Sequence, residues 1–207
     1  MRVALVLLFA LAAVARPASA QTPCDPRAAA ELRTHLEGQA SHARKWNIAW
    51  AVTFGAAAVG SATVGLINPL PDMQTGLYVS AGKASIGAAA RLILPLRIPL
   101  PAPDPDPCTD VAALRKAVAL AAKRERGNFY LNHIGGILVN GGGAAIIYWK
   151  TDSIGQALLS VAIGYPVGLI SNYTGPRGSW KLHRERTWTV GVAPQRDGWV
   201  LTLGGAL

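Results

Sequence analysis

The sequence predicts a mainly α-helical chain built as two tandem units. Each unit is an amphipathic helix plus an apolar helical hairpin, giving four membrane-type helices in all, with a C-terminal β-hairpin after them. Three observations predict this class. Asn128 to Gly175 carries no formal charge except at a minimal turn, Lys150-Thr151-Asp152, so it reads as two apolar arms of about 20 residues or more, each long enough to cross a hydrocarbon core. The 207 residues are 51% apolar and only 15% charged, well below the roughly 25% charged residues of a typical soluble domain. The order cysteine, amphipathic helix, apolar hairpin occurs twice.

Residues 1–20 read as a secretory signal peptide. Arg2 is the basic start, Val3 to Ala15 the apolar core, and Ala18-Ser19-Ala20 the small-residue cleavage site. Cleavage before Gln21 would remove Arg2 and Arg16 and leave a basic chain, since the whole sequence carries a formal charge of +9. Export places Cys24 and Cys108 in an oxidising compartment, where a disulfide between them would persist. A lipid-modified Cys24 is excluded, because Gln21-Thr22-Pro23 does not form a lipobox.

The first unit spans residues 21–96. Asp25 to Lys45 forms a helix with a stripe of Ala29, Leu32, Leu36, Ala40 and Ala43, and carries Arg27, Glu31, Arg33, His35 and Glu37 on its solvent faces. Trp46 to Pro71 follows without a charge, with Trp46 and Trp50 at the level of an aromatic belt. Gly76 to Leu96 returns. On that arm Lys83 and Arg91 are eight residues apart and share a face. A charge at the centre of a lipid-exposed helix costs about 2.5 to 3.5 kcal/mol even on the insertion scale, so both must face water, a partner or a pore.

Residues 97–107 form a Pro-rich, extended connector. The second unit, residues 108–175, begins with a helix from Thr109 to Arg126. Val111, Leu114, Val118 and Ala122 point inward, and Arg115, Lys116, Lys123, Arg124 and Arg126 outward. The two apolar arms come next. Two crossings per unit would put both cysteines on the exported side, where they can meet. Nearly all Lys and Arg would fall there too, against the positive-inside bias. Residues 176–207 form a basic segment in which Arg196-Asp197-Gly198 separates two runs of alternating apolar residues, a hairpin signal.

No catalytic or metal motif is present. His133, with Asn132 and Asn140 in an apolar arm, joins Lys83 and Arg91 as a candidate polar path, although its place beside Phe129 and Tyr130 favours an interfacial role. His35 and His42 lack a Cys or carboxylate at ligand spacing. No nucleophile elbow or phosphate loop occurs, so no catalytic residue and no cofactor is expected. Gly55, Gly60 and Gly65, with Gly135-Gly136 and Gly141-Gly142-Gly143, read as positions of close helix approach. Arg177, Lys181, Arg184 and Arg186, near Trp180 and Trp188, form a candidate contact with an anionic surface.

The signal peptide, cysteine pair and duplicated hairpins resemble a general kind of small bacterial envelope protein, a resemblance that carries no activity. The expected function is a non-enzymatic cell-envelope membrane protein with a structural or interaction role. Its partners would be membrane lipid and a second copy or another envelope protein, not nucleic acid. The alternatives are a small channel lined by Lys83 and Arg91, and a soluble secreted binding module.

Overall fold

The computed structural model describes residues 25–68, 70–195 and 198–205, with side chains, Asp72 aside, as far as residue 184. The expected signal peptide and Cys24 lie outside the described residues, as do the side chains of Arg186 and Trp188. The elements run α1 (Pro26–Ile67), α2 (Pro71–Ile93), α3 (Pro107–Thr151), α4 (Ile154–Tyr173), α5 (Gly178–Thr187), β1 (Trp188–Gln195) and β2 (Gly198–Gly205).

Two long helices set the frame. α1 has 42 residues and α3 has 45, about 63 and 67 Å of helix at 1.5 Å per residue. Both start on an aspartate cap followed by proline. The Asp25 carboxylate accepts from the Arg27 N–H, and Asp106 accepts from the N–H groups of Cys108 and Thr109. The Thr109 hydroxyl first, then the Cys108 and Thr109 amides, hold the Asp106 carboxyl below its ordinary pKa.

α2 packs back along the distal half of α1, and α4 along the distal half of α3. The first return is made where Asn68 Oδ1 accepts from the Leu70 N–H and Pro71 starts α2. The second is made at Asp152, whose φ of 51° is left-handed, and at Ser153, whose hydroxyl caps α4 by accepting from the Gln156 N–H. Pro166 lies inside α4 and has no N–H for the Ala162 carbonyl, yet the helix continues.

The core sits between the proximal halves of α1 and α3. Leu36 and Leu114 are fully buried, with Leu32, Val111, Val118 and Ala121 around them, and Ile98 of the connector and Leu182 of α5 close the edge. The apolar stripes foreseen in both amphipathic segments are the buried ones, except that Ala40 is only half-buried.

The expected fold class is corrected. The chain is mainly helical, with five helices among the described residues. Each amphipathic segment runs straight into the apolar arm after it. Nothing between Lys45 and Trp46 breaks a helix, and the lone Gly127 costs only about 1 kcal/mol against alanine, too little to end one. Among the described residues two helices, not four, are long and apolar enough to cross a membrane: α1 through its distal half, and α4. α2 and the distal half of α3 lie alongside them as more polar partners.

The C-terminal β-hairpin is also dropped from the fold class. The beginning of that segment is helical, as α5. β1 and β2 pair only with each other, antiparallel from Trp188 opposite Gly205 to Gln195 opposite Gly198, and form an appendage to the helical body.

Candidate functional site

Two polar stations lie between the helices, both supplied by α2. The deeper one is Lys83, about 15 Å along α2 from its Ile93 end. Its Nζ donates to Ser160 Oγ at 2.7 Å, to the Ser160 carbonyl at 3.1 Å and to Asn140 Oδ1 at 3.3 Å. Asn140 in turn donates through Nδ2 to the Gly136 carbonyl at 2.9 Å, which fixes its oxygen toward the ammonium. No carboxylate takes part. The only acids in the four distal segments are Asp72 and Asp152, next to the two far turns. The cation is therefore held by three oxygen dipoles that take the place of water.

Space for this side chain comes from two glycines. A Cβ at Gly143 would lie 2.7 Å from Lys83 Cδ and 3.1 Å from Val79 Cγ1, and one at Gly164 would strike Asn140 Oδ1 and lie 3.1 Å from Lys83 Nζ. Of the glycines expected to mediate close approach, Gly65 meets the Tyr78 ring, while Gly55, Gly60, Gly135, Gly136, Gly141 and Gly142 have nothing within 4 Å. The small-residue notch serves the lysine, and it is formed by Gly143 and Gly164, not by the Gly55-Gly60-Gly65 series.

The second station is Arg91, only 9% exposed. Its Nη2 donates to Ser171 Oγ at 3.1 Å and its Nη1 to Asn132 Oδ1 at 3.3 Å. The guanidinium lies 4.0 Å over the ring of Trp46, whose Nε1 donates to the Ser171 carbonyl at 2.9 Å. Trp46 is 4% exposed, so it is a packing residue joining α1, α2 and α4 and not the belt residue expected. Buried Arg91 Nε and Asn132 Nδ2 have no hydrogen-bond partner.

Lys83 and Arg91 thus share one face of α2, as their spacing predicts, and both point into the bundle. His133 does not join them. Its ring stands edge-on to Phe129 at 4.6 Å and to Tyr173 at 5.7 Å, in an aromatic cluster that also holds Tyr130 and Trp180. Arg177 lies over Phe129 and Tyr173 and donates to the Tyr173 carbonyl at 2.7 Å. Lys181 and Arg184 are on the exposed side of α5, so this basic set is divided between an inward arginine and an outward pair.

The polar residues that dock α5 carry no signal in the sequence. Glu125 is 1% exposed and accepts from the Trp180 N–H through Oε2 at 2.8 Å; Gln39 accepts from the Gly178 N–H; His35 Nε2 pairs with Ser179 Oγ at 3.2 Å. Arg33 bonds Asp110 at 2.7 Å and the Pro101 carbonyl at 3.0 Å, which ties the connector to both long helices. Arg33 and His35 were expected on solvent faces. They are contacts that attach the connector and α5 to α1.

None of the described cysteines is free, and Cys24 lies outside the described residues. Among the described residues no group of three or more His, Cys, Asp or Glu side chains comes together. Comparison with protein-family models, with curated proteins and with solved structures finds no match.

Proposed function

We propose that this chain is an integral, non-enzymatic protein of the cell-envelope membrane with a structural or associative role. Its proximal half, α5 and the connector project on the exported side, and α1 and α4 cross the hydrocarbon. One observation carries this reading. The large apolar side chains of the distal segments point outward, with Val52 66% exposed, Val59 68%, Leu138 68%, Leu159 60% and Ile163 63%, while polar Lys83, Asn140 and Ser160 point inward. In water such a surface is a large unpartnered apolar patch; in lipid it is the outside of a stable bundle.

The same arrangement favours a clip over a permeation path. Lys83 is hydrogen-bonded to residues of α3 and α4 and wedged between two glycines, so it joins the two helical hairpins rather than lining an opening. A Cys24–Cys108 disulfide, which is part of this proposal, would tie the starts of the two long helices on the exported side.

The test is extraction of native envelopes with high salt, then alkaline carbonate, then detergent, beside a reduced sample. The protein is expected to leave the membrane only with detergent and to shift on a non-reducing gel. Release by carbonate would end the integral reading.

A further inference from the structure

At the level where α1 turns from charged to apolar, an open groove of about 480 Å³ lies between α1, the end of α2 and the start of the connector. Arg44, Arg91 and Arg97 line it, and no carboxylate does. Among the described residues neither the Arg44 nor the Arg97 guanidinium has an acidic or hydrogen-bonding partner, because the one ion pair present is Arg33 with Asp110. Arg91 forms the inner wall, nine-tenths buried, with Nε unpartnered. Asn47, also in the wall, is spent on the Leu96 backbone, donating to its carbonyl at 3.1 Å. Beyond Arg44 the surface passes over Glu37 and Lys45, whose charges offset each other.

Apart from Asn47, the rest of the groove lining is apolar. Ile48 and Leu92 line it at 58% and 69% exposure, on the side that leads onto the outward apolar face of α1 and α2. Three cations beside an exposed aliphatic wall match an amphiphilic anion with a phosphate head and an acyl tail.

We propose that this groove binds one anionic phospholipid, its phosphate between Arg44 and Arg97 and backed by Arg91, its acyl chain along Ile48 and Leu92. The site differs from the basic residues around α5, and it rests on the membrane reading above. Bound there, the lipid would neutralise three arginines that the protein leaves without an anion. It would also brace the α2–connector junction against α1.

The test is native mass spectrometry of the full chain in a mild detergent, titrated with phosphatidylglycerol or phosphatidylcholine of the same chain length, and separately with inorganic phosphate. One phosphatidylglycerol is expected to bind at least ~10-fold more tightly than phosphatidylcholine, a difference of about 1.4 kcal/mol. Arg44→Gln with Arg97→Gln, both at exposed positions, should abolish that preference. Arg115→Gln with Lys116→Gln, an equal loss of charge at exposed sites on α3, should keep it. Equal binding of the two lipids, or equal loss in both double variants, would overturn the site while leaving the membrane reading intact. Displacement of the lipid by an equal concentration of inorganic phosphate would make it a free-phosphate site and overturn the lipid assignment. A chain that stays monodisperse without detergent would overturn both readings together.

Discussion

Lys83 is held in the bundle by Asn140 and Ser160 and by the space that Gly143 and Gly164 leave for it. Replacing it with alanine leaves Ser160 and the Asn140 oxygen without a donor and opens the notch at Gly143 and Gly164, so we expect Lys83→Ala to cost about 1–3 kcal/mol in detergent-based unfolding. The glycines give the sharper prediction. Gly143→Ala should destabilise the wild type through its clash with Lys83 Cδ, and much of that penalty should vanish in the Lys83→Ala background, because the obstacle is then gone. Gly55→Ala, where a Cβ meets nothing, should be neutral or stabilising by up to about 1 kcal/mol through helix propensity. Sequence spacing could put Lys83 and Arg91 on one face. It could not name Asn140 and Ser160, which lie 57 and 77 residues further along the chain, nor show that Trp46 is a buried stacking partner, since a tryptophan at a charge-to-apolar boundary reads equally well as either.

At the scale of elements, the stripes on the proximal helices were legible because burial at every third or fourth position leaves a clear period. Leu36→Ala and Leu114→Ala, both at fully buried positions, should each cost about 2–5 kcal/mol, measured as lost resistance of the proximal half to denaturant. The fusion of the amphipathic and apolar segments was less legible, because a change in composition looks like a boundary even where the backbone has no reason to break. The helix starts carry a pH signature. With its folded pKa depressed, Asp106 contributes stability that is complete above the unfolded carboxylate value near 3.8 and is lost as pH falls through the lower folded value. Asp106→Ala should therefore lower stability at neutral pH and flatten the acid limb of the pH–stability curve, as followed by helical circular dichroism.

Across the whole molecule, apolar composition pointed toward a membrane, and the structure adds the direction each side chain faces. The distal half turns its aliphatic surface out and its amides, hydroxyls and cations in, while the proximal half does the reverse around Leu36 and Leu114. What composition alone overstated was the number of fully apolar helices: α2 and α3 carry Lys83, Arg91, Asn132 and Asn140, which meet Ser160 and Ser171 of α4 inside the bundle. The central claim is this division into a lipid-facing and a water-facing half. It is tested most directly by labelling single added cysteines with a membrane-impermeant maleimide in native membranes, without added reductant. Glu31→Cys should label rapidly, and Val59→Cys and Leu159→Cys only after denaturation. Labelling of Val59→Cys and Leu159→Cys as fast as Glu31→Cys would contradict the account.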